Sequence, residues 1–367
     1  MYRPTYVEID LKNISYNLTE LTKNLQPDTR VMAVVKADGY GHGSVEVSKA
    51  AIKAGATDLA VATVEEGITL RKNGIKEPIL ILGLVPVSSA SALIEYSLTS
   101  TIYDLKIAEE LNKRVNKSVA VHVKVDTGMH RLGVLWNEIN SFLHRLKELK
   151  NIQVEGIFSH YSNADDNNSN YSNVQRQRFL EVIENLPYNI PIRHISNSAG
   201  VIEGLSCIPK CNMIRLGIVL YGLYPSQLQL DKVNLKPAMK LKTKVASIKQ
   251  VEEGAPISYG LTYKTPCTTK VATLPIGYAD GYSRLLSNKA WVEIKGFKAP
   301  VLGSVCMDYI MVDVTNIPSI SLDDEVNVMG GVSENCISVD TVAEMVNTIN
   351  YEVVCSISNR VPRIYKK

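Results

Sequence analysis

Lys36 closes an apolar run, Val31-Met32-Ala33-Val34-Val35, and opens a glycine-rich stretch, Ala37-Asp38-Gly39-Tyr40-Gly41-His42-Gly43. A continuous valine-rich run suits a strand buried on both faces. An amine held where such a strand ends, against low-dielectric surroundings, can lose its proton and act as a nucleophile or base. The plain alternative is a lysine snorkelling out of a strand end. Other residues with chemical capacity follow later apolar segments: Glu65, Asp126, His160, Asn197-Ser198 and Arg215-Leu216-Gly217. Each also has an ordinary reading. His160 can be a satisfied interior histidine, and Arg215 can pair with a carboxylate.

The elements that must position these residues form a rhythm. After the Lys36 strand, strand-like segments recur near Leu59–Thr63, Ile79–Gly83, Thr99–Tyr103, Val119–Asp126, Val154–His160, Ile192–Ser198 and Met213–Gly217. Amphipathic stretches, such as Glu65–Lys72, Leu105–Val115, Ile139–Leu149 and Val174–Leu186, separate most of them. Parallel strands need crossovers of this kind. Eight such units predict a (β/α)8 barrel of the TIM type over residues 10–228. A doubly wound open sheet is the runner-up, but Gly39-Tyr40-Gly41-His42-Gly43 lacks the dinucleotide-binding spacing. Residues 229–367 change texture. Short β runs at Ala238–Val251, Lys270–Pro275, Trp291–Ile294, Ala299–Leu302, Tyr309–Val314 and Glu325–Met329, with one helix at Ser338–Ile349, predict a mostly-β domain. The isolated strand within residues 1–9 is expected to pack with it. The polar run Asp165–Asn170 reads as a mobile loop.

In a (β/α)8 barrel the carboxyl ends of all strands share one rim, where chemistry is done. That rim gathers Lys36, Glu65, Asp126, His160, Ser198 and Arg215 from distant parts of the chain. Loops after the seventh and eighth strands often bind phosphate through backbone N–H groups, and Ser198, Gly200 and Gly217 suit that work. A phosphate site and a strand-end lysine on one rim suggest pyridoxal phosphate, whose aldehyde condenses with a lysine amine. Arg215 would be an unusual partner for the pyridine nitrogen, because a guanidinium cannot accept its proton. An unprotonated ring is a weaker electron sink. It suits brief carbanion character at Cα and disfavours transamination.

Composition narrows the alternatives. The chain has 367 residues, 45% hydrophobic and 21% charged, with a formal net charge of +3, as in ordinary soluble enzymes. No basic block interleaved with aromatics suggests nucleic acid. No apolar run reaches membrane-spanning length, and the amino terminus has no signal-like core. The six scattered cysteines include one close pair, Cys207 and Cys211, with no histidine at zinc-ligand spacing. No metal is expected there, and the whole reads as a cytoplasmic protein.

The ordered motifs resemble bacterial alanine racemase nearly end to end. They are Ala33-Val34-Val35-Lys36-Ala37-Asp38-Gly39-Tyr40-Gly41-His42-Gly43, Lys124-Val125-Asp126-Thr127-Gly128-Met129-His130-Arg131-Leu132-Gly133, Arg215-Leu216-Gly217-Ile218, Ile257-Ser258-Tyr259-Gly260, Ile276-Gly277-Tyr278-Ala279-Asp280-Gly281, Cys306-Met307-Asp308 and Ile349-Asn350-Tyr351-Glu352-Val353. The resemblance implies a homodimer with shared active sites that interconverts L- and D-alanine, providing D-alanine for peptidoglycan. It implies Lys36 as Schiff-base lysine and proton-transfer group, and Tyr259 of the opposite subunit as the other. Tyr40, Ser198, Gly217, Ile218 and Tyr351 match phosphate-holding positions. Arg215 matches the pyridine-nitrogen partner, with His160 beside it. Arg131, Tyr278 and Met307 match substrate-side positions, the last two from the partner. Lys124 matches a lysine that carries a carbamate in some relatives; its ordinary reading is a strand lysine paired with Asp126.

Racemisation removes a proton from one face of Cα and returns one to the other, so two opposed groups suffice. Two departures bear on how substrate reaches the site. Ser304 stands where many relatives carry arginine, and Ser159-His160-Tyr161-Ser162-Asn163-Ala164-Asp165 differs from the usual pattern in three places. Competing readings are a serine or broad-specificity racemase, a decarboxylase of the same barrel family, and a barrel-only cofactor carrier. Arg215 argues against the second. The β domain argues against the third.

Overall fold

The computed structural model describes residues 3–166, 170–206, 208–331 and 333–367. Residues 167–169 of the polar loop, and Cys207, lie outside the described residues. The chain forms two compact units. One, the barrel unit, holds residues 13–39 and 43–236; the other, the β unit, holds the segment up to Lys12, residues 40–42 and residues 237–367.

A first strand, β1 (Tyr6–Asp10), belongs to the β unit. The barrel unit is built from β2 (Arg30–Val34), β3 (Asp58–Val61), β4 (Ile79–Ile81), β5 (Thr99–Ile102), β6 (Val119–Asp126), β7 (Ile152–Phe158), β8 (Ile192–His194) and β9 (Met213–Leu216). Each pairs in parallel with the next from β2 to β8, and β9 returns to β2 with Arg215 beside Met32. Backbone bonds Asn212 N–H to Arg193 O (3.1 Å) and Arg215 N–H to Ser196 O (3.2 Å) bridge β8 to β9. All eight segments expected from the apolar rhythm are strands of one nearly closed barrel. Their side chains are buried on both faces: β3, β4 and β5 have no exposed residue.

Helices follow the strands: α1 (Leu11–Thr22), which precedes the barrel strands, then α2 (Ser44–Lys53), α3 (Val64–Lys72), α4 (Ala90–Glu95), α5 (Leu105–Arg114), α6 (Ile139–Lys147), α7 (Tyr171–Glu184) and the short α8 (Ser198–Ile202). Their starts are chemically marked. Asp104 accepts from Lys106 N–H at 2.7 Å, and Thr63 with Glu66 forms a capping box at α3. Among the described residues no helix is long and apolar enough to cross a membrane.

The β unit contains β10 (Met239–Lys244), β11 (Ser247–Val251), β12 (Pro256–Ile257), β13 (Tyr263–Lys264), β14 (Thr269–Leu274), β15 (Trp291–Ile294), β16 (Phe297–Leu302), β17 (Ile310–Asp313), β18 (Glu325–Met329) and β19 (Arg363–Lys366). Nine of its strands make one sheet in the order β11-β14-β17-β16-β15-β18-β10-β1-β19, while β12 and β13 form a hairpin. β1 runs antiparallel to β10, with Tyr6 opposite Lys242, and parallel to β19, with Val7 opposite Arg363.

Two expectations need correction. The run Ala238–Val251 is two strands, because the chain changes partners between them: Val245 N–H bonds Asp324 O, and the next N–H, of Ala246, bonds Thr273 O. The helix expected over Ser338–Ile349 is shorter, α9 (Val339–Met345), and a further helix, α10 (Asn350–Ser356), begins just beyond the expected span. Between them Asn347 takes a φ of 57°, a left-handed value that asparagine tolerates and that stops a helix.

Candidate active site

The chain leaves β2 through an unusual turn. Ala37, Asp38, Gly39 and Tyr40 have φ of 51°, 50°, 61° and 51°. A left-handed conformation costs a non-glycine residue roughly 1–2 kcal/mol, so three of them within four consecutive residues need support. Glu66 supplies it, accepting Ala37 N–H and Ala62 N–H, each at 2.7 Å. Asp38 accepts Ser44 N–H at 2.9 Å at the start of α2, and Tyr221 donates to Val34 O at 2.9 Å. The half-buried Lys36 is thereby fixed at the rim. Glu65, expected at this rim, is exposed on α3; the neighbouring carboxylate does the work. The Thr-x-x-Glu capping signature was the available clue.

Arg215 lies inside the barrel mouth, 3% exposed, in a chain of rings. Its Nη1 is 2.5 Å from Nδ1 of His194 and its Nη2 is 3.1 Å from Nδ1 of His160. Nη2 also donates to Ser159 O and Ile195 O, both at 2.8 Å. Burial lowers the Arg215 pKa to about 9, which still leaves it cationic at neutral pH. Burial and then the Arg215 charge hold His194 and His160 well below the usual imidazole value, so both are neutral. Guanidinium can only donate, so Nδ1 of His194 accepts and its proton sits on Nε2. His194 donates its Nε2–H to Nδ1 of His122, 3.0 Å away. Nε2 of His160 faces Nδ2 of Asn197 at 3.4 Å. That amide nitrogen donates to Tyr161 O at 3.1 Å. Its second hydrogen is available to Nε2 of His160. His122 and His194 were not singled out in the sequence.

Lys124 is 8% exposed, with Nζ 4.4 Å above the Phe158 ring. Among the described residues it has no ion pair or hydrogen bond. Burial, then Arg215 and Arg131, holds its pKa well below the usual lysine value. The pairing with Asp126 considered above is absent: that carboxylate accepts Gly128 N–H (2.9 Å) and His130 N–H (3.1 Å). Arg131 is exposed and, among the described residues, has no hydrogen-bond or ionic partner.

At the β8 and β9 ends, Ser198 Oγ accepts Gly217 N–H at 2.9 Å, leaving its own proton to donate. Ile218 opens a 3-10 turn, Ile218–Tyr221, directly after Gly217. Nε of Arg215 has no partner among the described residues, since every bond of the guanidinium leaves from Nη1 or Nη2. A hydroxyl donor, an uncommitted guanidinium N–H and a lysine therefore sit at the ends of three strands, two of them paired. This donor set fits pyridoxal phosphate, which presents a phosphate, a ring nitrogen and an aldehyde.

The β unit gathers the remaining residues. The rings of Tyr40 and Tyr351 stand 6.1 Å apart. Gly41 permits it, since a Cβ there would lie 2.2 Å from Val354 O. Tyr278 N–H bonds Cys306 O (3.0 Å) and Ala279 N–H bonds Met307 O (3.1 Å), which ties those two motifs together. Buried Asp280 closes the turn by accepting Gly277 N–H at 3.0 Å and is clamped by Arg3. Tyr259 lies in the β12–β13 loop, 73% exposed.

Comparison with known proteins agrees with this architecture. Residues 9–225 match the family described as alanine racemase, N-terminal domain, and residues 238–365 match alanine racemase, C-terminal domain. Alanine racemase 1 of Clostridium acetobutylicum is 43% identical over 375 residues, covering 100% of this chain and 96% of that protein. The solved alanine racemase of Clostridium difficile 630 superposes with a TM-score of 0.94 at 42% identity, covering 100% of this chain and 96% of that one. The alanine racemase of Bacillus anthracis, solved with bound L-Ala-P, gives 0.94 at 36% identity, with the same coverages. The chain belongs to the alanine racemase family of isomerases.

Proposed function

We propose that this protein is a pyridoxal-phosphate-dependent alanine racemase that supplies D-alanine for peptidoglycan, working in the cytoplasm as a homodimer with shared active sites. The observation that carries this reading is the buried Arg215, whose Nε has no partner among the described residues and whose strand pairs with the one leading to Lys36. When bound, pyridoxal phosphate supplies an electron sink for the Cα–H bonding pair.

Lys36 tethers the cofactor and exchanges a proton with one face of Cα. Arg215 donates to the pyridine nitrogen without protonating it, which limits the chemistry to brief deprotonation. Ser198, with the N–H groups around Gly217 and Ile218, would hold the phosphate, and Tyr40 and Tyr351 match phosphate-holding positions of the family. Arg131 binds the substrate carboxylate. Tyr259 of the partner serves the opposite face of Cα, and His160 with Arg215 forms the hydrogen-bonded pair that tunes it. Exposure supports a shared site: Tyr259 is 73% exposed, Met307 52% and Tyr278 43%, so the β unit leaves these side chains open to a second subunit.

The buried amine of Lys124, whose pKa is held well below the usual lysine value, is placed to react in its unprotonated form with carbon dioxide. The products are a carbamate and one released proton. The new anion would stand against Arg131 and Arg215, the two cations that now depress its pKa.

Tyr259→Phe tests the assignment. Bound cofactor should persist as an absorbance band near ~420 nm that borohydride removes, as expected of a lysine-linked cofactor, while racemisation is lost. Unchanged turnover would refute the two-base scheme. Loss of the band in Lys36→Ala locates the tether. A broader racemase is the second reading, favoured by serine rather than arginine at position 304. Racemisation rates over a panel of L-amino acids decide between them, and alanine ranking well below serine would sink the alanine assignment.

A further inference from the structure

We propose that Ser304 and Ser258 form a reciprocal clasp that positions Tyr259 for proton transfer; this rests on the reading of Tyr259 as one of two opposed proton-transfer groups. Ser258 has φ 67° and ψ −175°. That is a backbone region populated almost only by glycine, and holding a side chain there costs on the order of 1–3 kcal/mol. Gly260 and Leu261 also have positive φ, of 74° and 51°. Tyr259 therefore sits in a loop with three positive-φ residues and no strand ladder of its own.

Two hydroxyls hold it. Ser258 Oγ donates to Ser304 O at 2.5 Å, and Ser304 Oγ donates to Tyr259 O at 2.9 Å. Each serine thus uses its side chain on the other's loop. Among the described residues Ser304 is the only donor to the Tyr259 carbonyl. Ser304 itself is buried, 5% exposed. Further contacts fix the segment that carries Ser304. Gly303 N–H bonds Asn288 Oδ1 at 2.6 Å, and Val305 N–H bonds Ser287 Oγ at 2.9 Å. Asn288 also donates to Thr262 Oγ1 at 3.1 Å, at the far end of the Tyr259 loop. Gly303 is required for the close approach, because a Cβ there would lie 2.4 Å from Ile257 O.

The serine at 304 thus has a task that arginine could not perform in the same way. A short buried hydroxyl reaches the Tyr259 carbonyl, whereas a long cation would have to leave the clasp. Without the clasp the strained Ser258 peptide can relax and carry the Tyr259 ring with it. A displacement of about 1 Å is enough to slow a positioned proton transfer up to a hundredfold.

The test uses the holoenzyme carrying Ser304→Ala. The cofactor band and thermal midpoint should stay near wild type, while kcat falls roughly ten- to hundredfold. Rates alone cannot separate the two bases, because the equilibrium constant between enantiomers is fixed by symmetry. Isotope effects can. Substrate α-deuteration should give a raised effect in one direction only, that in which Tyr259 removes the proton. A loss of properly folded enzyme would leave both effects unchanged, and that result overturns the proposal. Ser258→Gly deletes the other hydroxyl while suiting the backbone, and it should give the same one-sided isotope effect even if Ser304→Ala folds poorly. Adding Ser304→Ala to Tyr259→Phe should cause no further loss. Full turnover in Tyr259→Phe would defeat the base assignment itself. Lost turnover there, with wild-type rates and isotope effects in both serine variants, would defeat the clasp alone.

Discussion

Nη1 of Arg215 stands 2.5 Å from Nδ1 of His194, so a neutral imidazole is the acceptor for a buried cation. Replacing His194 by leucine should leave that donor unsatisfied, at a cost of about 1–3 kcal/mol. Urea denaturation should show the loss, and turnover should fall with it as Arg215 shifts. An unchanged midpoint together with unchanged turnover would refute the role given to His194.

The same rings predict acid sensitivity. Burial lowers His122 to about 3, and His194 also lies well below its ordinary value. In the unfolded chain both titrate near ~6.5. Above that pH neither state binds the protons, and the full stability is present. As pH falls below it, the unfolded state takes up protons that the folded state refuses. Stability should then drop by about 1.4 kcal/mol per pH unit for each histidine. Denaturation curves between about pH 7 and about pH 5 measure the slope. His122→Phe should flatten it, and an unaltered slope would count against burial of the neutral ring.

Two adjacent glutamates should behave oppositely. Glu66→Gln turns one of the two oxygens beneath the Lys36 turn into a donor facing another donor, costing about 1–3 kcal/mol. Turnover should fall because the lysine loses its fixed exit from β2. Glu65→Gln, on the exposed side of α3, should stay within about 0.5 kcal/mol of wild type. Equal effects would mean that the left-handed turn does not depend on Glu66.

Lys124 should be chemically reactive without any substrate. Enzyme incubated with carbon-13 bicarbonate should show a carbamate resonance that Lys124→Met removes. The signal should fade as the solution is acidified, since protonating the amine reverses the reaction. A spectrum identical for both proteins would leave Lys124 an ordinary interior lysine.

The barrel was legible because parallel strands buried on both faces read as unbroken apolar runs, and eight of them recur with amphipathic spacers. The break at Val245-Ala246 was not, because a change of hydrogen-bonding partner leaves hydrophobicity untouched. The early stop of the last predicted helix comes with the backbone of one residue, Asn347. Around the site, Lys36 and Arg215 announce themselves as charges at the ends of apolar runs. His122 was available to a closer reading: it alternates with Lys124 and Asp126, and residues two apart on a strand share a face. The support under Lys36 needed one more residue of helical phase, which separates Glu66 from Glu65. The Ser258–Ser304 pair had no local signal, since its two halves are far apart in sequence and made of the commonest small polar residue.

The position of β1 between β10 and β19 has a consequence for biosynthesis. Val7 and Ile9 are both wholly buried in the finished sheet. Their partners begin at Met239 and Arg363, so a ribosome delivers the first strand long before either neighbour exists. Until then β1 has two open edges and two unpacked aliphatic side chains, the kind of segment on which chains stick to one another. The nascent protein can assemble its barrel early, but β1 must wait for β19. Slow translation should therefore expose aggregation at β1.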